Sequence, residues 1–142
     1  MQRVSDAALP ESLSPADLLT AGYDAFNRRD AAHLRGLMVD DFQWNEAEAV
    51  PGLKGCQSAD EFGAYMEGFD RLWDEFTFEP LEMILSDGGA MVVRIRGRGR
   101  GKASGEVFEL VIHHVWRFRD GRVARMDAFL DRREAAAAAE LS

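Results

Sequence analysis

Two ionisable residues stand on stretches of the sequence whose shared face is otherwise apolar, Glu46 and His114. Glu46 closes the short strand pattern Phe42-Gln43-Trp44-Asn45-Glu46, in which alternate residues share a face, so its carboxylate looks the same way as Phe42 and Trp44. His114 belongs to the run from Glu106 to Phe118. There Phe108, Leu110, Ile112, His114, Trp116 and Phe118 form one alternate set, and Val107, Glu109, Val111, His113, Val115 and Arg117 the other. The first set is the core face, which sends His114 inward and His113 outward. In an apolar pocket a carboxylate is pushed up toward the working pH of a general base, and an imidazole is pushed toward neutrality unless an acid lies near. Glu46 and His114 are therefore a candidate acid/base pair. The same residues are equally compatible with a solvated carboxylate at a loop edge and a core imidazole bonded to a backbone carbonyl.

The rest of the composition narrows the chemistry. One cysteine, Cys56, permits no internal disulfide, and three histidines with no second thiol make no zinc-site pattern, so no metal is expected. A formal net charge of -8 with no basic block argues against nucleic acid and against anionic membrane surfaces. The stretch Arg94-Ile-Arg-Gly-Arg-Gly-Arg100 lacks the aromatic platforms that a single-strand binder needs on the same face. It reads as a solvated or subunit-facing charge ladder. No segment approaches the apolar length of a membrane span, and the N-terminus has no apolar core of a secretory signal. Residues 1–13 are expected to be a flexible leader on a cytoplasmic protein, and a small molecule or another protein remains as partner.

The elements that position the pair follow from capping and periodicity. Ser14-Pro15-Ala16-Asp17 opens a first helix with Leu18, Leu19, Gly22, Tyr23 and Phe26 at helical spacing, and Asp30 caps a short second helix. After the Phe42–Glu46 strand and a Pro/Gly-containing loop, Ser58-Ala59-Asp60-Glu61 is a capping box for a third helix striped by Phe62, Tyr65, Met66 and Phe69. From Phe76 onward four long strands are separated by Asp87-Gly-Gly, Gly101–Gly105 and Arg119-Asp-Gly turns, and Pro80 marks an edge or a bulge. Asp131 and Glu134 open a last helix whose alanine run reads as helix propensity. Residues 14–142 thus read as one α+β domain, with helices on one face of a curved antiparallel sheet.

Laid out this way the chain resembles the SnoaL-like polyketide cyclases and ketosteroid isomerases of the nuclear transport factor 2-like superfamily. The resemblance rests on Ala25–Glu46, the "GLKG…F" entry to the third helix, Arg96–Gly105 and His113–Asp131, and spans about residues 14 to 135. It implies a cone in which the curved antiparallel sheet wraps the N-terminal helices around an apolar cavity, and a homodimer paired through the outer sheet face. It also implies cofactor-free acid/base chemistry (isomerase, cyclase or dehydratase) on a small apolar carbonyl metabolite, or else a non-catalytic binding or dimerisation module. Glu46 falls where the isomerases have their general base, and His114 where they have the acid that hydrogen-bonds the developing enolate. Trp44, Tyr65, Trp116 and Met126 would line the pocket. The oxyanion-hole tyrosine of the isomerases corresponds to Gly22, with Tyr23 one residue off that face. Asp127, nearest to the last-strand carboxylate of the cyclases, is expected on the other face.

Overall fold

The computed structural model describes residues 13–46 and 55–140, so most of the expected leader and residues 47–54 of the expected loop lie outside the described residues. The first helix, α1 (Pro15–Asn27), starts where Ser14 Oγ accepts from Asp17 N at 3.1 Å, and Asp30 caps the six-residue α2 (Ala31–Gly36) by accepting from His33 N. Strand β1 (Met38–Asn45) precedes α3 (Ala59–Leu72), whose Ser58 cap accepts from Glu61 N while Glu61 reaches back to Gln57 N. Four further strands follow, β2 (Trp73–Leu85), β3 (Met91–Gly101), β4 (Val107–Arg119) and β5 (Arg122–Phe129), and then α4 (Arg132–Glu140). The result is an α+β arrangement around one five-stranded sheet of order β1-β5-β4-β3-β2.

Local chemistry explains the sheet's shape. The β4–β5 turn has positive φ at both Asp120 (55°) and Gly121 (75°), the backbone a two-residue type I′ hairpin requires. Edge strand β2 slips register between Asp74 and Thr77 and again between Pro80 and Glu82, so Pro80 sits both on an edge and at an irregularity. On β3 the alternation of arginine and glycine has a packing cause. A Cβ at Gly99 would come within 3.0 Å of Phe76 Cδ2 and 3.2 Å of Trp73 Cβ, so the aromatic rings of β2 lie directly on the glycine backbone. The arginines take the opposite face, where Arg96 pairs with Glu79 at 3.0 Å.

The core lies between α1, α3 and the concave face. Leu18, Leu19, Tyr23 and Phe26 of α1 and Phe62, Met66 and Phe69 of α3 are buried against Val93, Ile95, Ile112, Trp116 and Met126 of the sheet. The end of α1 is clamped to β2 by Asn27, whose side chain donates to Phe78 O (2.8 Å) and accepts from Phe78 N (2.9 Å).

Two features differ from the sequence expectation. The first strand begins at Met38 and pairs with β5 in parallel, which makes the sheet mixed at that edge. Helices also cover both faces. The small side chains of Ala135 and Ala139, 0% and 2% exposed, let α4 lie close on the outer face over Val115 and Ala90. The alanine run is therefore a packing surface as well as a propensity feature. For the same reason His113 points outward yet is only 7% exposed.

Candidate active site

Alternation along β4 places His114 as expected, fully buried on the concave side. Its Nδ1 lies 2.8 Å from the hydroxyl of Tyr23, and the same hydroxyl oxygen receives the indole N–H of Trp116 at 2.8 Å. An indole nitrogen can only donate, so the Tyr23 oxygen accepts from Trp116 and is left with its proton to give to His114. The opposite assignment, with Nδ1 protonated, would strand both the Tyr23 proton and Nε2 in a dry core. We therefore assign His114 as the Nε2–H tautomer. Burial first, and then the neighbouring His113, pushes its pKa down to about 3, so the ring is neutral. Nε2–H is buried and has no hydrogen-bond partner among the described residues. Burial likewise holds the Tyr23 phenol well above its ordinary range, against the smaller opposing effect of Trp116.

Glu46 follows directly on the strand that carries Trp44, and both Trp44 and Tyr65 act on one of its oxygens. Trp44 Nε1 donates to Glu46 Oε2 at 2.8 Å, and the Tyr65 hydroxyl donates to the same Oε2. Two donors on one oxygen fix the carboxylate's direction. Burial, and after it the adjacent Glu46 charge, pushes the Tyr65 pKa far up, which keeps the phenol protonated and donating. The backbone behind this arrangement is held by an antiparallel bridge in which Trp44 and Cys56 exchange both hydrogen bonds, at 2.9 and 3.0 Å. Gly55 makes the bridge possible, since its φ is +96° and a Cβ there would fall 2.0 Å from the Trp44 carbonyl oxygen.

Trp44 links the two centres. Its indole donates to Glu46, and its ring stands 5.5 Å from the His114 imidazole in a T-shaped contact. Glu46 and His114 do not hydrogen-bond directly to each other. Trp44 and Trp116 border an apolar hollow closed by Leu18, Leu19, Phe62 and Phe78, with Gly22 and Tyr23 contributing from α1. The hollow has a volume of about 20 Å³, room for about one water molecule. Of the residues expected to share it, Glu46, His114, Tyr65 and Met126 do not line it: His114 and Met126 are fully buried in the packed core beside it, and Tyr65 donates to Glu46. Asp127 faces away from the concave side, where it accepts from Arg125 Nε at 2.8 Å and Asn45 Nδ2 at 2.9 Å. No group of three or more His, Cys, Asp or Glu is placed to hold a metal ion among the described residues. Nor is any helix among them long and apolar enough to cross a membrane.

Tyr23 is the residue that sequence reasoning passed over. The resemblance puts Gly22 in the aligned place and Tyr23 one position off that face, yet the Tyr23 hydroxyl organises the buried end of the site. The signal was present, since a tyrosine on the apolar stripe of a core helix needs a partner for its hydroxyl.

A family model described as a SnoaL-like domain matches residues 19–126. No curated protein matches the sequence significantly. Among solved structures, a nuclear transport factor 2-like protein of unknown function from Burkholderia pseudomallei is 26% identical with a TM-score of 0.71, covering 86% of this chain and 94% of its own. TerC, co-crystallised with polyporic acid, is 21% identical with a TM-score of 0.71, covering 90% and 96%. A hypothetical protein of ketosteroid isomerase-like fold from Catenulispora acidiphila, in complex with trimethylamine, is 12% identical with a TM-score of 0.70, covering 88% and 92%.

Proposed function

The chain belongs to the SnoaL-like domain family, whose fold is that of nuclear transport factor 2-like proteins, and from that premise we propose that it is a cofactor-free enzyme acting by proton transfer on a small apolar carbonyl compound. The observation that carries this reading is the unpartnered Nε2–H of His114. A buried donor without an acceptor costs roughly 1–3 kcal/mol, so an imidazole pinned by Tyr23 and Trp116 with its remaining N–H unused suits a ligand oxygen. His114 would donate to the carbonyl oxygen and stabilise the enolate as charge develops there. Glu46, oriented by Trp44 and Tyr65, would remove the proton alpha to that carbonyl and return it to the shifted position. Two neighbours of the same fold carry small molecules in their structures, which supports the use of this scaffold for such ligands.

The hollow holds about one water and neither Glu46 nor His114 lines it, so a ligand reaches the pair only as side chains on its wall move aside. Deuterium exchange at the alpha carbon of a panel of apolar ketones tests the proposal. The wild-type chain should accelerate exchange, and Glu46→Gln should lose about 10²–10⁴-fold of that acceleration, the usual share of a general base. Equal exchange by the two proteins would remove Glu46 from this role.

The filled hollow favours one second reading, a non-catalytic binding or dimerisation module in which Trp44, Phe62 and Phe78 are packing residues. Val107 and Val111, 51% and 39% exposed on the outer sheet face, would then meet a second copy. Under that reading sedimentation shows a dimer that Val107→Lys with Val111→Lys dissociates, and the ketone panel shows no exchange.

A further inference from the structure

On the face of the sheet opposite the hollow, a cavity of about 500 Å³ opens between α4, the outer side of β4 and the β2–β3 hairpin. That is within the range of sites that enclose small organic ligands. Three donors-in-waiting and one acid furnish its polar end. His113 lies on its wall at 7% exposure, and its ring makes no hydrogen bond among the described residues. Arg94 Nε is buried without a partner, the Glu82 carboxylate standing 3.9 Å away, too far for a hydrogen bond. Arg132, at the first turn of α4, is 3.7 Å from the same Glu82 oxygen. Two guanidinium groups thus flank one carboxylate at ion-pair distance without hydrogen-bonding it.

The other walls are apolar. Ile84 and Leu85, 48% and 55% exposed, come from the hairpin, Val92 from β3, and Ala136 and Ala139 from α4. Asp87 and Glu140 also border the cavity and with Glu82 outnumber its two guanidinium groups, so a multiply charged head such as a phosphate is opposed and a singly charged one is held only directly against Arg94 and Arg132. The geometry points to a second ligand site, one that takes a monocarboxylate with an apolar tail. The carboxylate pairs with the exposed parts of the Arg94 and Arg132 guanidinium groups and accepts from His113, and the tail runs between Ile84, Leu85 and the alanine face of α4. Nothing in this assignment depends on the chemistry at Glu46 and His114.

Titration of the full chain with octanoate, followed by proton–nitrogen NMR, tests it. Saturable shifts are expected at the Arg94 Nε–H and at the amides of Val92, His113 and Ala136, with octan-1-ol binding at least about tenfold more weakly for want of a charge-assisted acceptor. Arg94→Gln and, independently, the surface change Arg132→Gln should each weaken octanoate by about tenfold while leaving thermal unfolding unchanged. Absence of saturable shifts, equal binding of the alcohol, or shifts centred on Tyr23 and Trp116 would overturn the assignment. So would shifts at these residues that follow protein concentration rather than octanoate, because a second copy would then occupy the cavity.

Discussion

Replacing Tyr23 by phenylalanine removes one oxygen and leaves two buried polar atoms behind. Trp116 Nε1 loses its acceptor and His114 Nδ1 its donor, both in the interior among aromatic rings. Each hydrogen bond contributes roughly 0.5–1.5 kcal/mol net when both partners return to water, but a stranded buried group costs roughly 1–3 kcal/mol. The second figure governs here, because neither partner leaves the core. Two such groups, partly relieved by local relaxation, give about 2–4 kcal/mol. At roughly 3–4 °C per kcal/mol for a chain of this length, Tm falls by about 10 °C. Thermal unfolding at fixed protein concentration measures this. The double variant Tyr23→Phe with Trp116→Phe closes a cycle in which part of the Tyr23→Phe cost disappears, since one of the stranded groups is gone. A drop of less than about 2 °C for Tyr23→Phe would refute the hydroxyl's bridging role.

The other expectations are independent of that cycle. His114 has an ordinary value of 6.5 and is pushed down to about 3 in the fold, so the unfolded chain takes up a proton that the folded one refuses. Stability is full above pH 6.5 and declines on the order of 5 kcal/mol as pH falls toward 3, with His113, also pushed down by burial and by Arg132 and Arg94, acting in the same direction. Urea midpoints across that range should be flatter in His114→Gln than in the wild type. Gly55→Ala should cost more than about 2 kcal/mol and alter the fluorescence of Trp44, because the added carbon collides with the Trp44 carbonyl; an unchanged Tm would contradict the backbone reading. The Cys56 thiol, buried and pushed up to about 11 chiefly by that burial, should resist iodoacetamide in the native protein and react once urea exposes it.

The two-residue alternation of β3 and β4 was enough to read from sequence. It sent His114, Trp116, Val93 and Ile95 inward and the arginines outward, and the caps at Ser14, Asp30 and Ser58 marked the helix starts. Relations that a linear pattern does not encode were harder. The partner of Tyr23 lies 91 residues away on another element, and a helical stripe wide enough to hold both Gly22 and Tyr23 gives no phase accurate enough to choose between them. Parallel pairing of β1 with β5 depends on how the chain returns after the last hairpin, not on the composition of Met38–Asn45. The placement of α4 on the outer face rested on alanines that suit a close packing surface as well as they suit a solvated helix. How full the hollow is follows from the rotamers of Trp44, Phe62 and Phe78 together, which no single segment specifies.

At the centre of the site stands a neutral imidazole whose tautomer is dictated by Tyr23 and Trp116 and whose free N–H awaits an acceptor. Long-range proton–nitrogen NMR of the His114 ring reads that state directly. The expected spectrum shows Nε2 protonated and Nδ1 bare, unchanged from about pH 7 to about pH 4. A protonated Nδ1, or a ring that titrates near its ordinary value of 6.5, would contradict it.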